Sequence, residues 1–118
     1  MQVVQTPAGK RFTVPYDFDY SGLVDAQYAV PGTGLGLVTV RDRLYRGPCH
    51  TPEEFETAFQ PFRDKKSAIM SLYDTLPDMS PAYRKDAKAY LEQFYATINN
   101  KALVKKVFID DCHGRPYM

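Results

Sequence analysis

The spacing of apolar positions changes once along the chain, and that change divides it. Val3 and Val4 are followed by Thr6-Pro7-Ala8-Gly9, which has proline and glycine where a tight turn wants them. Arg11-Phe12-Thr13-Val14 then alternates polar with apolar at the two-residue period of a half-buried strand. These features predict a β-hairpin over residues 1–16. Pro15 has no amide hydrogen to give to a ladder, so it belongs at a strand end or edge.

From Thr51 onward the period becomes helical. Thr51-Pro52-Glu53-Glu54 supplies a capping threonine, proline at the first helical position and glutamate at the third. Phe55, Ala58, Phe59 and Phe62 follow at helical spacing, with Pro61 expected to bend or restart the helix. The next segment places Phe62, Ile69, Leu72, Tyr73 and Leu76 inward and stops at Pro77. Ser80-Pro81 opens the clearest helix, whose stripe is Tyr83, Ala87, Tyr90, Leu91, Phe94 and Ile98. Asn99-Asn100 breaks it and caps a last helix with Leu103, Val104, Val107 and Phe108 on one face.

Between these two regimes, residues 17–50 hold most of the turn chemistry: Gly22, Pro31, Gly32, Gly34, Gly36, Gly47 and Pro48. Leu35 to Val40 is the one stretch there with the look of a short extended segment. Loops this long in a small domain are usually functional or pinned against a partner. The expected architecture is therefore α+β in a single domain spanning 1–118. A small hairpin (1–16) and a long ordered loop region (17–50) precede three or four packed helices (51–111).

Composition narrows the function classes. With 44% hydrophobic and 25% charged residues over 118 positions, the chain is long enough to bury a core. Nine Tyr and seven Phe without Trp point to a core of large rings. Fifteen basic against fourteen acidic residues leave a net charge of +1, too little to favour nucleic-acid binding. No apolar run approaches the roughly 20 residues of a membrane span, and the start MQVVQTPAGKRF does not read as a leader peptide.

Four groups of residues carry candidate chemistry. Asp17 and Asp19 flank Phe18 just past the second strand, and two carboxylates at i and i+2 can both reach a hard cation such as magnesium or manganese. The plainer alternative is an acidic bend that ends the strand. Gly32-Thr33-Gly34-Leu35-Gly36 lacks both the dinucleotide spacing and a following helix, and reads as a flexible bend. Arg41, Arg43 and Arg46 form a candidate anion-binding group, with Arg41 and Arg43 on one side of an extended segment. Asp42 lies among them, and surface ion pairing is the competing account.

The fourth group is Cys49-His50 and Cys112-His113, which contain every cysteine and histidine of the chain. A disulfide between Cys49 and Cys112, two separate thiols, and a zinc site are all compatible with the sequence. Adjacent ligands are an unusual zinc geometry, because structural sites favour gaps of two to four residues. Nucleophilic catalysis finds little support, since no third orienting group accompanies either Cys-His pair.

Val14-Pro15-Tyr16-Asp17-Phe18-Asp19-Tyr20-Ser21-Gly22-Leu23-Val24-Asp25-Ala26 and Val40-Arg41-Asp42-Arg43-Leu44-Tyr45-Arg46-Gly47 together carry a resemblance. The chain resembles the C-terminal segment of a group of bacterial, mostly exported proteins that are distantly similar to the CotH-type, protein-kinase-like fold. In that fold an aspartate after a strand holds the magnesium that bridges nucleotide phosphates. The resemblance thus implies Asp17 as a metal ligand, Asp19 as helper or second ligand, and Phe18 as packing wedge. It also implies an exported or periplasmic parent, a setting in which a disulfide persists.

A kinase-like site needs a nucleotide-covering lobe, a phosphate-binding lysine and a catalytic loop, and the chain contains none of these motifs. The expectation is a chain without catalysis of its own, completed by an N-terminal lobe or used as a partner-binding domain. In the second case Tyr16, Tyr20, Tyr28 and Tyr45 of the loop region would meet a protein partner.

Overall fold

In a computed structural model, residues 2–110 and 112 are described. The chain divides into two compact units, Met1–Arg43 and Leu44–Met118. The architecture is α+β: an N-terminal antiparallel hairpin and four helices.

In the first unit, β1 (Gln2–Gln5) pairs with β2 (Arg11–Val14) in a register that sets Val3 against Thr13 and Val4 against Phe12. The turn closes because Gly9 takes a φ of 83°, which costs a residue without Cβ nothing. Its amide donates to the Thr6 carbonyl at 2.9 Å, and the Thr6 amide donates to the Lys10 carbonyl at 2.8 Å. The Lys10 amide donates to Thr6 Oγ1 at 3.1 Å. β2 ends immediately before Pro15, as a residue without an N–H requires. The alternation in β2 does not produce a half-buried strand: Arg11 to Val14 are all exposed.

After the hairpin comes a 3-10 turn at Phe18–Tyr20, entered through Asp17 in the left-handed region. A second turn is built on Ser21, whose carbonyl accepts from Val24 at 3.1 Å and Asp25 at 3.0 Å. Leu35 to Val40 is not an extended segment. The Asp42 carboxylate draws the amides of Val38 and Thr39 to 2.8 and 2.9 Å, and the chain bends around it. A side chain that offers the backbone a local acceptor competes directly with strand pairing.

In the second unit, α1 (Pro52–Asp64) begins with a reciprocal capping box. The Glu54 amide donates to Thr51 Oγ1 at 3.2 Å, while the Glu54 carboxylate accepts from the Thr51 amide at 2.9 Å. Pro61 lies inside this helix, which runs on to Asp64 before yielding to α2 (Lys66–Thr75). The proline removes one donor near the end of the helix, so the break falls at Lys65 and not at the ring itself.

α3 (Pro81–Ile98) is capped by Ser80, and Asn100 caps α4 (Lys101–Val104) by accepting from Ala102 and Leu103. A π-helical stretch, Lys105–Asp110, continues α4. Phe55, Phe59, Tyr95, Ile98 and Val104 form the core, with Tyr45, Phe94, Phe108 and Ile109 packed against it. At about 25 cal/mol per Å², each buried ring or aliphatic chain contributes roughly 1.5–3 kcal/mol.

Polar contacts fix how the helices meet. Tyr95 donates to the Phe62 carbonyl at 2.9 Å, so the buried phenol ends on a partner. Arg63 donates to the Ile98 carbonyl at 2.7 Å and to Asn99 Oδ1 at 2.8 Å, satisfying acceptors at the C-terminus of α3. Arg84 does the same for the end of α2, donating to the Tyr73 carbonyl at 2.6 Å. Several positions expected inward face out: Phe62, Leu72, Leu76 and Tyr83 are exposed, Leu72 at 60%. Tyr95, 2% exposed, is the core residue the α3 stripe passes over.

Candidate functional site

Asp17 and Asp19 bracket the 3-10 turn of the first unit. Asp17 sits at φ 56°, ψ 49°, a conformation aspartate tolerates better than most residues. Asp19 lies one residue into the turn, and its Oδ2 accepts a hydrogen bond from the Tyr28 hydroxyl at 2.9 Å. That bond is the first cause raising the Tyr28 pKa, followed by burial and the Asp19 charge. The rings of Tyr20 and Tyr28 meet edge to face at 5.9 Å, so a phenol, a carboxylate and a second ring form one small cluster. Among the described residues no group of three or more His, Cys, Asp or Glu side chains converges to hold a metal ion. Phe18, expected to turn into the core as a wedge, is instead 62% exposed.

Arg41 braces the Ser21 turn from the other side. Its Nε donates to the Gly22 carbonyl at 3.0 Å and lies 3.3 Å from Asp25 Oδ2. Gly22 is the one buried residue among those described in this unit. Arg41 therefore closes a loop, and it reaches that role from a turn, not from the extended segment that would have aligned it with Arg43. Asp42 is held below the usual carboxylate range by the Thr39 amide first and the Val38 amide second. Arg46 falls in the second unit.

What distinguishes the first unit is its surface. Val3, Phe12, Tyr28, Val30 and Val38 are all exposed, Val38 at 86%. Scattered apolar residues are ordinary, but here no large apolar side chain among the described residues of the unit is buried. The hairpin also has two strands and hence two unpaired edges, which accept further strands readily. Tyr16, Tyr20 and Tyr28 lie on this exposed surface. Tyr45 does not: its ring packs on Phe55 at 5.4 Å and on Phe108 at 5.3 Å in the second unit. Val30 escaped the sequence reading because no period marks it before Pro31-Gly32, and Val38 was read only as part of the extended segment Leu35 to Val40.

Cys49 and Cys112 are joined by a disulfide across a separation of 63 residues. Thiols bound to each other are not thiolate ligands, which removes the zinc reading; His113 lies outside the described residues. The bridge ties the segment preceding α1 to the end of the π-helical stretch. His50 turns to Glu54, with Nδ1 3.1 Å from Oε2. This pair was legible only as an i, i+4 spacing across the capping box. The Thr51 amide first, and His50 second, hold Glu54 below its ordinary range.

No described helix is long and apolar enough to cross a membrane. Compared with family models, curated proteins and solved structures, the chain matches none.

Proposed function

We propose that the chain is a protein–protein interaction module whose first unit docks a protein partner through the hairpin and the tyrosine-bearing turns. The observation that carries this reading is the contrast between the two units. The second unit buries Phe55, Phe59, Tyr95 and Ile98, whereas the first leaves Val3, Phe12, Phe18, Tyr28 and Val38 in water. A two-stranded hairpin is marginal alone and gains stability by packing or by accepting another strand. Exposed tyrosines fit the same role, since they offer large rigid contact area together with a hydroxyl.

The kinase-like resemblance would instead give Asp17 and Asp19 to magnesium or manganese. Asp19 Oδ2 already accepts a hydrogen bond from the Tyr28 hydroxyl, so a cation at Asp19 would share that carboxylate with the phenol. The interaction reading asks for no such sharing.

Affinity purification from the source cells tests the proposal, comparing the wild type with a Phe12→Glu/Val38→Lys chain. A protein retained by the first and lost by the second, with the thermal transition of both chains unchanged, is the expected result. Equal retention by both chains would remove the docking role from this unit.

A further inference from the structure

The aromatic layer of the second unit is incomplete on one side. A cleft of about 570 Å³ opens there, within the roughly 300–1,000 Å³ typical of small-molecule sites. Its walls include Tyr45, Phe55, Phe59, Phe94 and Phe108. The rings hold one another in place: Phe59 and Phe108 lie 5.0 Å apart, and Phe55 and Phe108 5.3 Å apart.

The polar groups on the lining are few and clearly oriented. The Tyr45 hydroxyl donates its proton to the Pro48 carbonyl at 2.7 Å and keeps only acceptor capacity. His50 and Glu54 remain. An ionised carboxylate only accepts, so His50 Nδ1 carries a proton toward Glu54, and in the neutral ring Nε2 is an acceptor. The Thr51 amide also bonds to Oε2 of Glu54, so both bonds fall on one oxygen and Oε1 stays available to a ligand. The cleft thus offers π faces, a carboxylate oxygen and an imidazole acceptor. Each of these favours a donor-bearing cation, and none favours an anion.

We propose that this cleft is a binding site for a small arylalkylamine: a flat apolar body seated among Phe55, Phe59 and Phe108, with its ammonium group at Glu54 Oε1 and His50 Nε2. The site lies wholly within Leu44–Met118. It is independent of the docking role given to the first unit, and neither depends on the other.

Two-dimensional amide NMR of the full chain tests it with three isosteres: 2-phenylethylamine, neutral 2-phenylethanol and anionic 3-phenylpropionate. The amine is expected to give saturable shifts around His50, Phe55 and Phe108, and to bind about tenfold or more tightly than the carboxylate. Glu54→Gln keeps an acceptor for the Thr51 amide, so the helix start survives. That variant should bring the amine down to the affinity of the alcohol. Ala58→Phe, which fills the cleft from α1, should abolish binding of all three. No saturable shift with the amine, a carboxylate that binds equally well, or an amine preference that survives Glu54→Gln would each overturn the proposal.

Discussion

The Tyr28 hydroxyl donates a hydrogen bond to Asp19 Oδ2 at 2.9 Å, joining two turns of the first unit that are nine residues apart. The bond engages one carboxylate oxygen of an acidic triplet that has the look of a cation site. It also fixes Tyr28 on the exposed surface, where an ordered ring costs a partner less entropy to bind than a mobile one.

Tyr28 should titrate above the ordinary tyrosine range, because ionising it would place a phenolate against a carboxylate. A folded-state pKa raised in this way contributes stability below the unfolded value, lost as pH rises through the folded one. Tyrosine ring NMR across alkaline pH checks the direction, and Asp19→Asn should remove most of the upward shift. Added magnesium or manganese should leave the Tyr28 titration unchanged. A metal-dependent fall in its pKa that vanishes in Asp17→Ala would establish the cation site.

The capping box makes the opposite pH prediction. Glu54 is depressed chiefly by the Thr51 amide, so its contribution is complete above the ordinary glutamate range. It is lost as pH falls through the depressed folded value. Acid denaturation of the wild type should therefore begin with a component that Glu54→Gln lacks. Thr51→Ala, which removes the reciprocal bond, should cost about 1 kcal/mol in denaturant melts.

Gly47 is a packing residue. A Cβ at this position would overlap the Tyr45 ring, whose hydroxyl is anchored on the Pro48 carbonyl. Gly47→Ala should displace that ring from Phe55 and Phe108 at a cost of about 1–3 kcal/mol. The cost should shrink sharply when Tyr45 is already alanine, because the two substitutions act on one contact. Urea unfolding of the two single variants and the double variant measures this coupling.

Opening the Cys49–Cys112 bridge releases the chain across 63 residues. By the loop-entropy relation this should cost about 4 kcal/mol. Intact mass with alkylation before and after reduction verifies the bridge, and calorimetry of Cys49→Ser/Cys112→Ser measures the loss. A double variant as stable as the wild type would contradict that role.

Much of the second unit was legible because its signals are local. Thr51, Pro52, Ser80 and Asn100 act within one helical turn, and the cap each predicts is present. Tyr95 was missed because it lies to one side of the Phe94–Ile98 row, and only the Phe62 carbonyl gives its hydroxyl a reason to be buried. Leu72 and Leu76 have the right period but are exposed, so their outward placement depends on tertiary structure that a periodicity does not encode. In the first unit, the Asp42 carboxylate overrode the extended reading of Leu35 to Val40 through two backbone bonds. The Tyr28–Asp19 bond spans nine residues of irregular chain, where spacing carries no geometric information.

The central claim, that the first unit is covered by a protein partner, is tested most directly by photo-crosslinking in the source cells. p-Benzoylphenylalanine is placed singly at Phe12, Tyr28 or Val38, and at Tyr83 on the exposed side of α3 as the control. The account predicts one discrete adduct, identified by mass spectrometry, from the first three positions and none from Tyr83; an adduct of twice the chain mass would identify the partner as a second copy. No adduct from the first unit, or one that forms equally from Tyr83, would contradict it.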